Sequence, residues 1–403
     1  MLRITRLLAV LLVAWGGFVQ AQTLSEATYR RLTKIHELIG EEAYGEALDK
    51  LEKLLPATKY SPYETAMVYQ TYGFIYAQQG DYRKAADYFR QAIGLNALPE
   101  MQVESMKYNL GQFQVAVEDY RDGIKTLEEY FATAKNPIPL EARVLLATAY
   151  AQLKQYRKAL PHLSRAIQES KEPKEMWYQL KLALHYELDD YRSCATTLLD
   201  MVGLFPLKEQ YWKQLSGMFM EIKKDKDALA ILALADRRGY LDDSKEIINL
   251  GNLYLYLDIP FKAAQVLDDG LRGGIVEGNE KNYEMLSNAW IGARETDKAI
   301  SALAKAAERT DDGELVLRLA YLYVQQEAWA KVLPTLDRAR TLGVKKPGEA
   351  AMLQGIAAAE LGRFDEALKA FGAARKFEDT REEASAWLQH ALTLQAEQGD
   401  GES

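Results

Sequence analysis

Four histidines and a single cysteine are the residues of this 403-residue chain best suited to metal or nucleophile chemistry. His36, His162, His185 and His390 stand far apart, and none has a second histidine or a cysteine at the spacing that puts two ligands on one helix face. Cys194 has no partner for a disulfide, and a reactive thiol would need a nearby base that the spacing does not supply. The paired carboxylates Asp189-Asp190, Asp242-Asp243 and Asp311-Asp312 could share a proton as acid and base. Each pair falls between helical patterns, where aspartates serve as turn residues. The glycine-rich stretch from Gly270 to Gly278 leaves a helical pattern and lacks the Lys-Ser/Thr ending of a phosphate loop, so it reads as a connection. The basic cluster Lys223-Lys224-Asp225-Lys226-Asp227 and the pair Arg237-Arg238 read as solvated turn and helix-end residues, cations there meeting the negative end of a helix dipole. These readings predict no catalytic residue, no cofactor and no metal; the chain is expected not to be an enzyme.

The elements that carry these residues repeat. Ala66 to Pro99 and Gly348 to Arg381 share residue types at matching offsets: Gly73 and Gly355, Gly80 and Gly362, Tyr82 and Phe364, Ala85 and Ala367, Phe89 and Phe371, Ala92 and Ala374. Two antiparallel helices approach closely only where one offers a glycine or alanine to a large side chain of the other, so Gly73 and Ala85 are predicted holes at a helix crossing. In this register repeats begin near Thr28, Ala66, Glu104, Leu140, Glu175, Glu209, Ser244, Glu280, Gly313 and Gly348, at intervals of roughly 36 residues. The pair from Thr28 has Ile35 at the small place and the pair from Glu104 has Gly123 in place of alanine. Cys194 falls at the twentieth place with Ala85, Ala159 and Ala228, which predicts a small buried side chain. Ser61-Pro62-Tyr63-Glu64, Asp243-Ser244-Lys245-Glu246 and Thr380-Arg381-Glu382-Glu383 write helix starts locally.

A period of this length, with small residues at its eighth and twentieth places and an aromatic near its seventeenth, resembles the tetratricopeptide repeat. The resemblance implies an all-α fold: a right-handed superhelical solenoid of about ten helix pairs over residues 22–398, closed by a capping helix from Thr380 to about Ala396. A disordered tail at 399–403 is expected to follow. In such proteins places 2, 5, 9, 12 and 13 of the first helices line the concave groove. In register these include Phe74, Tyr108, Gln152, Tyr186, Lys213, Asn252, Tyr256, Asn288 and Tyr321, mostly amides and aromatics suited to an extended peptide. Some members grip a C-terminal carboxylate; Lys213, Asn249 and Lys281 match that pattern, while Gly217 and Met285 depart from it and argue against such a clamp.

The amino terminus has Arg3 and Arg6, the apolar run Leu7 to Trp15 and the small-x-small site Val19-Gln20-Ala21, which predicts a cleavable signal peptide over residues 1–21. The expected compartment is periplasmic, with no membrane span after cleavage. The formal charge of −8 becomes −10 once those two arginines are removed. An acidic chain without a basic stripe excludes nucleic acid as a partner. Within Gln210 to Leu271, Trp212-Lys213-Gln214-Leu215, Asp227-Ala228-Leu229, Arg238-Gly239-Tyr240 and Asp258-Ile259-Pro260 resemble the exported tetratricopeptide proteins encoded with TonB, ExbB and ExbD components in proteobacteria. That resemblance implies a scaffold for an energy-transducing system of outer-membrane transport, with periplasmic regions of TonB/ExbB/ExbD-type proteins as partners. The alternative is a scaffold for peptidoglycan or outer-membrane assembly that binds other envelope components.

Overall fold

The structure is a computed structural model that describes residues 23–401, with side chains through 396. The proposed signal segment, its cleavage site and Gln22 lie outside the described residues, as do Glu402 and Ser403. Among the described residues the chain is all-α, with twenty-one α-helices, one short 3-10 turn at Leu55–Thr58 and no strand.

Two compact units divide it, the first ending at Thr197 and the second beginning at Leu198. The first holds α1 (Glu26–Gly40), α2 (Tyr44–Leu54), α3 (Pro62–Gln78), α4 (Tyr82–Gly94), α5 (Glu100–Ala116), α6 (Tyr120–Thr133), α7 (Leu140–Gln152), α8 (Tyr156–Glu169), α9 (Glu175–Tyr186) and the start of α10 (Tyr191–Leu204). The second holds the remainder of α10, then α11 (Glu209–Glu221), α12 (Asp225–Arg237), α13 (Ser244–Tyr256), α14 (Pro260–Arg272), α15 (Glu280–Gly292), α16 (Thr296–Ala307), α17 (Gly313–Gln325), α18 (Trp329–Leu342), α19 (Pro347–Glu360), α20 (Phe364–Ala374) and the terminal α21 (Arg381–Gly401). Odd-numbered helices from α1 to α19 are the first members of the ten predicted pairs. The last helix continues through Gly401, past residue 398 where the sequence pattern ended the array. Glu397 and Gln398 favour helix, and a glycine near a helix end costs too little to stop it sooner.

The crossing inside each pair follows from residue size. A β-carbon placed on Gly111 would lie 2.6 Å from Leu127 Cδ2, on Gly251 3.0 Å from Leu267 Cδ2, and on Gly355 2.5 Å from the Phe371 ring. Gly73 meets Phe89 in the same way. Place 8 is thus the hole for the large side chain at place 24. The two pairs with phenylalanine there both have glycine opposite. Where place 8 is serine, its hydroxyl donates to the carbonyl at place 20: Ser216 to Ala228 at 3.0 Å and Ser287 to Ala299 at 2.9 Å. Ala85, Ala159, Ala228, Ala263, Ala299 and Ala367 are all fully buried. Ala228→Leu should therefore overpack the α11–α12 crossing and cost about 1–3 kcal/mol in a chemical denaturation series, with Ala228→Ser milder.

Cys194 sits at that same twentieth place, fully buried, its Sγ 3.9 Å from the Leu182 carbonyl. Burial, with Asp190 nearby, pushes the thiol up to about 11. Because the thiolate is the reactive form, a thiol reagent at neutral pH should leave Cys194 unmodified until denaturant opens the pair. Labelling at the native-state rate of an exposed thiol would contradict that placement.

The turn within each pair has one recurring backbone feature. Glu42, Glu118, Lys154, Asp189, Lys223, Asp258, Arg294 and Glu327, with Gly80 and Gly362, all adopt positive φ, and all stand at place 15 of their repeats. This left-handed residue reverses the chain between helices. Asp189 and Lys223 are turn residues, as the sequence pattern reads them. Asp243 caps α13 by accepting from Lys245 N at 2.6 Å, and Asp312 caps α17 by accepting from Glu314 N at 2.8 Å. Ser61 caps α3 as its motif implies. Thr380 instead donates its hydroxyl to the Ala374 carbonyl at 2.8 Å, tying α21 to the end of α20. Pro161 and Pro334 lie inside α8 and α18 rather than at helix ends.

No unit has a central core. Each interior is a row of clusters shared by neighbouring pairs, such as Leu32, Ile35, Leu51, Val68 and Ile75 in the first unit. In the second unit one cluster runs from Ile300 through Leu336 and Phe371 to Ala391. Each helix pair therefore leans on its neighbours for burial, as a repeat array requires.

Candidate protein-binding surface

First helices of adjacent pairs touch one another: α1 with α3, α5 with α7 and α7 with α9. A polar bond crosses between two of them. Gln102 Nε2 on α5 donates to Gln70 Oε1 on α3 at 2.6 Å. These helices thus present a shared face within a unit.

In the first unit Phe74 and Tyr108 are half-buried, whereas Gln152 and Tyr186 are exposed. Tyr108 stacks on Tyr130 with ring centroids 5.5 Å apart, and burial raises its phenol above the ordinary value despite a hydrogen bond with Gln112. It packs as much as it presents. Tyr186, at the end of α9, is 55% exposed, its ring edge-on to Tyr191 at 6.0 Å.

In the second unit Asn252 and Tyr256 stand one helical turn apart on α13, both exposed, and Tyr256 at 73% is among the most exposed aromatics of the chain. Asn288 on α15 is exposed and its side-chain oxygen accepts from Arg318 Nη2 at 2.7 Å; the same guanidinium reaches Glu284 at 2.5 Å. Tyr321 is 39% exposed, with burial of the rest of its ring and the nearby Glu349 raising its phenol. Lys213 is half-buried and already engaged, with Glu246 Oε1 at 2.8 Å and Asp242 Oδ1 at 3.5 Å. Burial opposes its charge, yet Glu246 and its neighbours hold the ammonium above the ordinary lysine value. A lysine so compensated has little to offer a ligand carboxylate, which agrees with the mismatches at Gly217 and Met285.

Sequence reasoning passed over Arg318 and Glu284, which lie between the chosen residues and would shape what approaches Asn288. It also passed over Met220 and Ile291, 40% and 43% exposed at the place Tyr186 holds in its own repeat. An apolar residue at an exposed helical position was the available signal.

The other chemistry-bearing groups are dispersed. Among the described residues no three His, Cys, Asp or Glu side chains group as a metal site would require, and no helix is long and apolar enough to cross a membrane. His162 lies between the rings of Phe131 and Tyr150, with burial and then Arg143 lowering its pKa. His185 Nδ1 is 3.5 Å from Asp190, whose carboxylate also accepts from Ser193 N.

Models of the tetratricopeptide repeat family match residues 66–97 and 107–172. No curated protein matches the sequence. A tetratricopeptide repeat protein from Parabacteroides merdae is similar in structure at 12% identity, covering 74% of this chain and 100% of that one with a TM-score of 0.38. YrrB, described as a tetratricopeptide protein with an unusual peptide-binding site, is similar at 16% identity over 49% of this chain and 94% of its own, TM-score 0.37. The TPR2AB domain of yeast Sti1, solved as a complex with pHSP90, is similar at 15% identity over 64% of this chain and 99% of its own, TM-score 0.35. Residues 66–97 and 107–172 thus match tetratricopeptide repeats, and the left-handed residue at place 15 recurs in the other helix pairs.

Proposed function

We propose that this chain is an exported, non-catalytic scaffold that holds a protein partner against the exposed face of its first helices. The observation that carries the reading is on α13 and α15: Tyr256 and Asn252 exposed side by side, with Asn288 on the next first helix. A tyrosine there offers rigid contact area at small entropic cost, and amides can pair with the backbone of an extended segment. The basic start, the apolar run and the Val19-Gln20-Ala21 site support export to the periplasm. The motifs between Gln210 and Leu271 support an accessory role in a TonB-type energy-transducing system, with periplasmic regions of TonB/ExbB/ExbD-type proteins as partners.

Fractionation of the native host followed by mass spectrometry tests compartment and partner together. The expected result is a periplasmic chain beginning at Gln22 that copurifies with a component of the TonB-type complex. A chain retaining Met1 in the cytosol would contradict the export reading. A periplasmic chain that copurifies with peptidoglycan enzymes instead would assign it to envelope assembly.

A further inference from the structure

The first helix pair holds a feature separate from the protein-binding face. Between α1 and α2 lies a crevice of about 390 Å³ lined by Arg31, Lys34, Ile35, Lys50, Lys53 and Leu54. Arg31 and Lys34 are three residues apart on α1, and Lys50 and Lys53 three apart on α2, so each helix turns two cations toward the same opening. Arg31 and Lys34 occupy places 4 and 7 of their repeat, off the places that form the first-helix face. Lys50 pairs with Glu46 at 3.1 Å. Among the described residues, Arg31, Lys34 and Lys53 have no carboxylate in ion-pair contact.

Folding alone does not call for this arrangement. A terminal pair needs a polar outer face, and mixed charges would provide it without the mutual repulsion of four cations around one opening. Although α1 and α2 together carry as many acids as bases, the crevice lining has four cations and no carboxylate, which makes the opening a focus for anions. The lining also restricts which anion fits. Ile35 and Leu54 are each 1% exposed, so the apolar surface of the lining belongs mostly to the methylene stems of its four cations. No amide or hydroxyl lines the crevice to pair with a peptide backbone. The four cations attract negative charge, and Arg31 adds a planar fork that matches two oxygens of one phosphate.

We propose that this crevice binds a compact anion of the phosphate class, presented either by a lipid headgroup or by a free phosphorylated molecule. The purified full chain would be titrated with inorganic pyrophosphate by calorimetry at low salt. In parallel it would be sedimented with vesicles of phosphatidylglycerol or of phosphatidylcholine. Saturable pyrophosphate binding that weakens with added salt is expected. The double change Arg31→Glu and Lys53→Glu should reduce it at least tenfold. The double change Lys223→Glu and Lys226→Glu alters net charge equally and should leave it within twofold. Lys34→Gln, a milder change at an exposed position, should lower affinity severalfold with helicity unchanged, so the result does not depend on the double variant folding. Sedimentation with phosphatidylglycerol vesicles alone, reversed by pyrophosphate, would identify the lipid source; pyrophosphate binding without sedimentation would identify the free one. Absence of pyrophosphate binding, equal losses in both double variants, or tighter Arg31-dependent binding of a hexaglutamate peptide would overturn the proposal.

Discussion

Replacing Gly313 with alanine should destabilise the second unit by about 3 kcal/mol. Gly313 opens α17, and a β-carbon on it would strike the Gly343 carbonyl and lie 2.6 Å from the Ala339 carbonyl oxygen at the end of α18. Both obstacles are backbone, so no rotamer change relieves them. Either the α17–α18 pair opens or the last turn of α18 shifts. Gly217 provides the opposite control: it lies inside α11 with nothing within 4 Å of an added β-carbon. There alanine should stabilise by about 0.5–1 kcal/mol through helix propensity alone. Urea unfolding of both variants, followed by helicity, would check the pair of signs. A midpoint for Gly313→Ala equal to that of the parent would show that the α17–α18 approach is looser than the structure has it.

Gly313 also shows where sequence reading stops. It was legible as the first residue of a repeat, but nothing near it in the sequence announces that a carbonyl thirty residues later comes within contact distance. Places 8, 20 and 24 were easier, because a local trade of small for large residues, Gly73 for Phe89 or Gly355 for Phe371, recurs with the period. The left-handed turn at place 15 was hidden for a different reason. Glycine marks it only at Gly80 and Gly362, whereas glutamate, lysine, aspartate and arginine accept the same strain elsewhere because the flanking helices impose it. Asp189 and Lys223 owe their positions to that turn.

For the candidate surface, the exposure of Tyr186, Asn252, Tyr256 and Asn288 was legible, while the half-burial of Phe74, Tyr108 and Lys213 and the engagement of these side chains were not. Tyr186 and Tyr256 project from first helices as the register implies. Whether Lys213 is free depends on Glu246 and Asp242, which belong to the next repeat and its loop. Likewise Asn288 is shared with Arg318 from the following pair. Periodicity within one repeat cannot show such pairings, since each requires the relative rotation of two neighbouring helices.

The other large effect is functional. Tyr256→Ala and Asn252→Ala should each weaken partner binding by more than about 1 kcal/mol, because exposed aromatics that become buried in an interface dominate its energy. Neither change should alter stability appreciably, since both side chains are exposed and off the helix crossings. Lys224→Ala and Arg237→Ala, at the two ends of the second helix α12, should leave binding nearly unchanged.

The most direct measurement is the affinity of residues 22–403 for the periplasmic region of the TonB-type protein proposed as its partner, taken for the parent, Tyr256→Ala, Asn252→Ala, Lys224→Ala and Arg237→Ala under one salt condition. A scaffold that works through its first helices predicts parent binding, lost or severalfold weakened by the two α13 changes and retained with the two at the ends of α12. Binding that survives both α13 changes and disappears on altering Lys224 and Arg237 would place the partner on the second helices and contradict the account.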